Sequence, residues 1–343
     1  MGGRSSLARD CLIAIVAFLV LAALPYFFPS RGFSDFIVRL AAFGIFATSL
    51  NILVGYSGME SFGHGLYFGL GCYTFALIMQ RFGVPIPVAF LLTIAVSVVV
   101  ALAVGAICVN LSEIYFAFLT LAFQMLLHSL IIAWTPITGG DTGLTGGIPR
   151  PAFLGIRLDD YYHLYLFSAG LLVVCLLAMH HIVQSPFGYT LRMIRDNASR
   201  APFLGVSVFR LRLMSYVIAG AFGAVGGIIM SLFVSGAFPD FAYWTISGEA
   251  IFMIMLGGIT VFLGPIVGTA IFLLLNDVVT KLTHHYGIFL GAVILLFALG
   301  FRKGVLDFIA DRWRDRRQSA LTAESRTGTG SAGQEAKSAA AGE

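Results

Sequence analysis

Long apolar runs separated by short polar breaks dominate the chain. In order, they predict ten membrane-crossing helices, at residues 11–28, 36–54, 63–80, 86–109, 115–134, 164–183, 213–236, 246–258, 266–279 and 286–301. About 20 helical residues cross a hydrocarbon core of about 30 Å. The eighth and ninth runs are short, and the alternative is one broken or re-entrant element. No small-x-small cleavage site follows the first run before Pro29, so it reads as an uncleaved helix. Arg39 stands near the start of the second run, where its side chain can snorkel to the interface.

Composition supports this pattern. Apolar residues make up 58% of the 343 and charged residues 11%, against about 25% charged in a soluble domain. Residues 1–10, 184–212 and 302–343 hold 23 of the 38 charges. Most charges therefore lie outside the runs, which excludes a soluble fold, a disordered chain and a nucleic-acid binder. The fold class is all-α, a polytopic transmembrane bundle.

Charge position sets orientation. Residues 135–163 carry two Arg and three Asp, whereas the equally long segment 184–212 carries five Arg and one Asp. Under the positive-inside rule the second is cytoplasmic, as is the basic stretch 302–317. Ten spans then place both termini inside, and Arg4 and Arg9 agree. The domains read as a cytoplasmic N-terminus (1–10), a membrane domain (11–301) with its cytoplasmic loop (184–212), a basic cytoplasmic segment (302–317) and a disordered tail (318–343). The tail is Ala, Gly, Ser and Thr with a few charges and can bury no core.

Catalytic and metal patterns are missing from the sequence. No Lys follows a Gly, so GxxxxGK[ST] is absent; no Glu follows a His, so HExxH is absent. The GxSxG elbow fails at Met59. Cys11, Cys72, Cys108 and Cys175 lie in apolar runs without a CxxC pair and read as packing residues. No catalytic residue, metal or cofactor is expected.

Three features carry function. Between Leu50 and Thr74, six glycines interrupt an apolar stretch that also holds Ser57, Glu60, Ser61 and His64. Small residues permit close helix packing; alternatively, a broken helix lines a polar path. Glu60 and His64, costly against lipid, favour the path, with Ser57, Gly58, Ser61, Gly63, His64, Tyr67 and Thr120 as its candidate residues. The second feature is a broken segment in the other half, at Gly257, Gly258, Gly264, Pro265 and Gly268. The third is the basic loop 185–206, in which residues 190–201 predict a short helix stopped near Pro202 and Gly205. It reads either as a lipid-facing amphipathic helix or as a docking helix for a cytoplasmic partner.

These segments, with residues 115–123, 138–144 and 147–149, resemble the inner-membrane permease of branched-chain amino acid ABC transporters, in particular the M-type subunit of the leucine/isoleucine/valine importer. The likeness covers roughly residues 40–305. It implies a multi-pass protein of the bacterial inner membrane that imports a small amino acid by alternating access. The implied partners are a homologous second permease, two cytoplasmic ATP-binding subunits that bind the ATP, and a periplasmic substrate-binding protein, all within the lipid bilayer system and without nucleic acid. It also implies that the loop with Gly188, Arg192, Arg195, Asp196, Asn197, Ala201 and Gly205 docks on the ATPase, with Ala201 packed in its cleft and Gly205 allowing a tight exit turn. The chain departs from the family at Ala198, where Glu is usual, at Glu60 and at Pro202. Related permeases carry urea, amides or aromatic acids. An ion-coupled secondary transporter is the competing class, and Glu60, Glu249 and Asp277 would be its intramembrane carboxylates.

Overall fold

The computed structural model of the chain describes residues 3–27, 30–111, 113–148, 160–282, 288, 291–292, 304–308 and 312. Apart from isolated positions, the expected tenth span, the basic segment beyond 308 and the tail lie outside the described residues. The helices are α1 (Gly3–Phe27), α2 (Arg31–Asn51), α3 (Gly65–Phe82), α4 (Ile86–Cys108), α5 (Glu113–Ala133), the single turn α6 (Thr135–Thr138), α7 (Tyr161–Gln184), α8 (Pro186–Asp196), α9 (Val208–Val234), α10 (Trp244–Gly257) and α11 (Gly264–Leu282). No strand occurs among the described residues. Among the described residues seven helices, α1, α2, α4, α5, α7, α9 and α11, are long and apolar enough to cross a membrane. The fold is an all-α polytopic membrane bundle.

The centre of the bundle is α2 against α9. Most of the apolar window of each is buried, whereas no residue in that of α1 is fully buried. Glycines on α9 make this closeness possible. A Cβ at Gly226 would stand 2.6 Å from the Ala42 carbonyl oxygen, and one at Gly227 would collide with the Phe68 carbonyl. In lipid, where apolar surface gains little by moving from tails to protein, such close backbone packing holds helices together. α1 lies on the rim against α7, where Tyr165 Oη donates to the Leu21 carbonyl at 2.6 Å.

The connections gather at two ends. At one, Arg195 reaches the Gly55 carbonyl, Asn51 Nδ2 donates to the Ile259 carbonyl at 3.3 Å, and Asp307 binds residues 259–261. At the other, Gln80 Nε2 donates to the Gly147 carbonyl at 2.9 Å, Leu144 pairs with Ala237, and Tyr161 Oη donates to Asp35.

Two helices start inside the bundle. The chain leaves α2 through a widened π-helical turn (Ile52–Ser57) and a left-handed Gly58, and α3 begins only at Gly65. After α9, Ser235 takes φ 55°, the one non-glycine positive φ among the described residues, and 236–243 lead to α10. Both helix starts meet the middle of α5. Ser247 Oγ accepts from Gly65 N at 2.7 Å and donates to Gln124 Oε1 at 2.7 Å, and Gln124 Nε2 donates to the Tyr243 carbonyl at 2.8 Å. A backbone amide at the start of α3 and a backbone carbonyl at the start of α10 are thus satisfied by side chains where no water would reach them.

Several boundaries differ from the sequence expectation. The basic helix is α8, Pro186–Asp196, rather than 190–201, because Pro186 occupies its first turn and Asn197 leaves helical geometry at φ −159°. α9 starts at Val208, which draws Arg210 and Arg212 out of the loop and into a helix. The eighth and ninth runs are two helices, α10 and α11, crossing so closely that a Cβ on Gly257 or Gly268 would strike backbone. Gly257–Gly268 is therefore the joint between two helices, and the second interruption lies earlier, at 235–243. Arg39 also has a partner the sequence did not suggest: its guanidinium binds the Asp277 carboxylate at 2.9 and 2.6 Å.

Candidate functional site

The path candidates form a packed centre. Ser57, Ser61, His64, Tyr67 and Thr120 are each no more than 1% exposed. Gly63 lies so close to α5 that a Cβ there would collide with the Thr120 carbonyl, while the Thr120 hydroxyl donates to the Ala117 carbonyl at 2.9 Å. His64 caps the start of α3 and stacks on Phe46, with ring centres 5.3 Å apart. Ser49 Oγ donates to the Phe46 carbonyl at 2.7 Å and lies 2.9 Å from His64 Nε2. His64 Nδ1 and the hydroxyls of Ser57 and Ser61 are buried without a partner among the described residues. Tyr67 sets its ring edge against Tyr216 of α9, centres 5.6 Å apart. These groups are sealed inside one chain, and Glu60, grouped with them in the sequence, is exposed.

The basic loop is fastened to the bundle by its own arginines. α8 sits across the ends of α7 and α2. Gly188 lets it close on α7, since a Cβ there would collide with the Val183 carbonyl. Arg192 Nη2 donates to that same carbonyl at 3.2 Å, and its guanidinium lies over the rings of Tyr189 and Tyr56 at 4.5 and 5.6 Å. Arg195 donates to the Gly55 carbonyl and to Asp196 Oδ1, at 3.2 Å from Nη2. Both arginines thus bind carbonyls at helix ends, where acceptors lack amide donors and the helix dipole is negative. Leu191 and Ile194 turn inward and are buried.

Beyond α8, Asn197 Oδ1 accepts from Ser199 Oγ at 2.9 Å and from Arg200 N at 3.1 Å, making a side-chain-closed turn. A short 3₁₀ turn, Ala201–Leu204, follows, and Gly205 leaves it at φ 76°. Ala201 is fully buried, but against its own chain. Its burial is a property of this fold and needs no partner cleft. The outer face instead shows Phe203, 90% exposed, Leu204, 70%, and Tyr189, 61%. The sequence reading passed over Phe203 and Leu204; two bulky apolar residues in an otherwise basic loop were the available signal.

The second broken-segment group lies at the same end. Gly258, at φ 122°, opens a turn whose amides converge on one carboxylate. Asp307 accepts from Ile259 N at 3.0 Å, Thr260 N at 3.3 Å, Thr260 Oγ1 at 2.6 Å and Val261 N at 3.2 Å. Gly264 and Pro265 start α11, and the Pro265 carbonyl accepts from Thr269 Oγ1 at 2.7 Å. Asp307 was not named in advance, because nothing in its local sequence marks it. No group of three or more potential metal ligands occurs among the described residues.

A helical membrane bundle with interrupted helices meeting at its middle, and a basic helix bolted across one end, has the architecture of a transport permease. The chain belongs to the family of branched-chain amino acid transport system permease components, whose family model matches residues 32–299. It is 24% identical to the high-affinity branched-chain amino acid transport system permease protein LivM of Salmonella typhimurium, over 85% of this chain and 74% of that protein. Against LivM of Escherichia coli K12 the figures are 25%, 85% and 74%. It is also 28% identical to the autoinducer 2 import system permease protein LsrC of Salmonella paratyphi B, over 67% of this chain and 66% of that protein. No solved structure matches the chain.

Proposed function

We propose that this chain is the membrane-spanning permease subunit of an ATP-driven importer of branched-chain or related small amino acids in the bacterial inner membrane. It has ten spans and both termini in the cytoplasm. It pairs with a homologous permease, receives substrate from a periplasmic binding protein, and takes its driving force from two cytoplasmic ATPases that dock on the 184–212 loop. The observation that carries this reading is α8, fastened across the ends of α7 and α2 beside the outward-facing Phe203, Leu204 and Tyr189. An exposed apolar patch on a basic loop suits a protein partner. Motion imposed there reaches two core helices. Alternating access needs such contacts to differ between two states.

The test is co-expression with the second permease and the ATPases, followed by copurification and uptake in proteoliposomes. Phe203→Glu should leave the chain inserted but release the ATPases. Uptake of branched-chain amino acids that requires ATP supports the reading; ATP-independent uptake, or Phe203→Glu behaving as wild type, counts against it. The similarity to an autoinducer 2 permease puts that solute among the competitors to assay. A second reading, ion-coupled transport, rests on Glu249, half-buried on α10. Asp277 is engaged by Arg39, and Glu60 is exposed. Uptake driven by an ion gradient without ATP would favour that reading.

A further inference from the structure

We propose that Arg195 is a positioning residue that transmits the movement of α8 to the break between α2 and α3, and is not itself a contact for the ATPase. This rests on the proposed function, and it assigns Arg195 a direction that the sequence resemblance does not. Three observations carry it. First, although its side chain is 37% exposed, the guanidinium reaches down to donate to the Gly55 carbonyl, and its Cγ would lie 2.8 Å from a Cβ placed on Gly58. Second, its acceptor lies in the weakest part of α2. Residues 52–57 form a π turn, and Gly58 and Met59 both fold back their amides onto the Leu53 carbonyl. The carbonyls of this last turn have no amide ahead of them, so a cation from another helix caps them. Widened turns of this kind recur at functional sites. Third, the contact continues. Asn51, one turn back from Gly55, donates to the Ile259 carbonyl, and the 259–261 turn is clasped by Asp307. A displacement of α8 therefore acts on the break that leads to His64 and, through Asn51, on the α10–α11 joint. The α2–α3 break and the α10–α11 joint share one handle.

The experiment uses the complete complex, both permeases with both ATPases, in proteoliposomes. Arg195→Lys, Arg195→Gln and Arg195→Met are compared for ATPase retention, substrate-stimulated ATP hydrolysis and solute uptake. The readout is ATP hydrolysed per solute moved. Lys keeps the charge and one donor, Gln keeps a donor, and Met keeps neither. The ratio should rise in the order Lys, Gln, Met, by about tenfold for Met, the scale of one lost charge-assisted hydrogen bond. ATPase retention should be unchanged. A purely structural defect would lower hydrolysis and uptake together and leave the ratio flat. A flat ratio across the three variants, or loss of the ATPases from Arg195→Met, overturns the inference. If Arg195→Met does not assemble, the Lys-to-Gln step decides, and equality there overturns it as well. Failure of the proposed function is distinguishable, because the wild-type complex itself would then show no ATP-driven uptake, and the inference would fall with it.

Discussion

Arg39 on α2 and Asp277 on α11, 238 residues apart, meet in a two-pronged ion pair with nitrogen–oxygen distances of 2.9 and 2.6 Å. Their side chains remain 23% and 34% exposed. The pair joins a helix of the first half to one of the second, and its fork geometry is the strongest arrangement of these two groups. Removing one partner leaves the other charged and poorly solvated. Arg39→Met and Asp277→Leu should each destabilise the chain by about 1–3 kcal/mol. The double variant should recover part of that loss. Thermal unfolding in detergent for the four proteins of the cycle checks this, and additive losses would mean the pair contributes nothing.

Two glycines should respond to alanine for different reasons and by different amounts. Gly63→Ala drives a methyl into the Thr120 backbone, which cannot give way as a side-chain tip could. A cost of about 1–3 kcal/mol is expected from such overpacking. Gly205 has nothing within 4 Å of its would-be Cβ and is constrained only by φ 76°. Its alanine variant should cost about 1 kcal/mol or slightly more. Midpoints of thermal unfolding will rank the two, and the reverse ranking would contradict the packing described at the break.

Ser247 should matter more than its size suggests. It is the acceptor for Gly65 N and the donor to Gln124 Oε1. Ser247→Ala leaves a buried amide and a buried amide oxygen unpaired, a loss of about 1–3 kcal/mol. Ser247→Thr, which keeps the hydroxyl, should lie between wild type and Ala if the added methyl is tolerated. Hydrogen exchange at the start of α3 offers a local measure, with faster exchange expected for Ala alone.

The topology can be tested by labelling. Thr145 and Arg200 are both exposed and lie at opposite ends of the bundle. In a chain whose four native cysteines are replaced, Thr145→Cys should react with an impermeant maleimide from outside, and Arg200→Cys only after permeabilisation. The opposite pattern would reverse the orientation argued from the arginines of residues 184–212.

The apolar runs disclosed most helices, because burial in lipid demands them whatever the packing partner. What the runs could not disclose depended on contacts between distant segments. The partner of Arg39 stayed hidden because it is 238 positions away. Asp307 looked like an ordinary charge in a basic stretch, although four donors of the 259–261 turn point at it. The break at 235–243 was hidden because Ser235, where glycine would advertise it, takes the left-handed conformation. The candidate path was half legible. Glycine density located the interruption at 55–65, but side-chain identity alone could not tell a lining residue from a packed one. In the loop, Ala201 and Gly205 stood out, yet Ala201 is covered by its own chain and the exposed pair is Phe203 and Leu204.

α1 adds little to the buried core, since none of the residues of its apolar window is fully buried and the family match begins only at residue 32. Its charges matter more than its packing. Arg4 and Arg9 precede its apolar run, and positive charge beside a helix end biases that end toward the cytoplasm. A helix on the rim of the bundle thus carries the same orienting signal as the basic loop that holds α8.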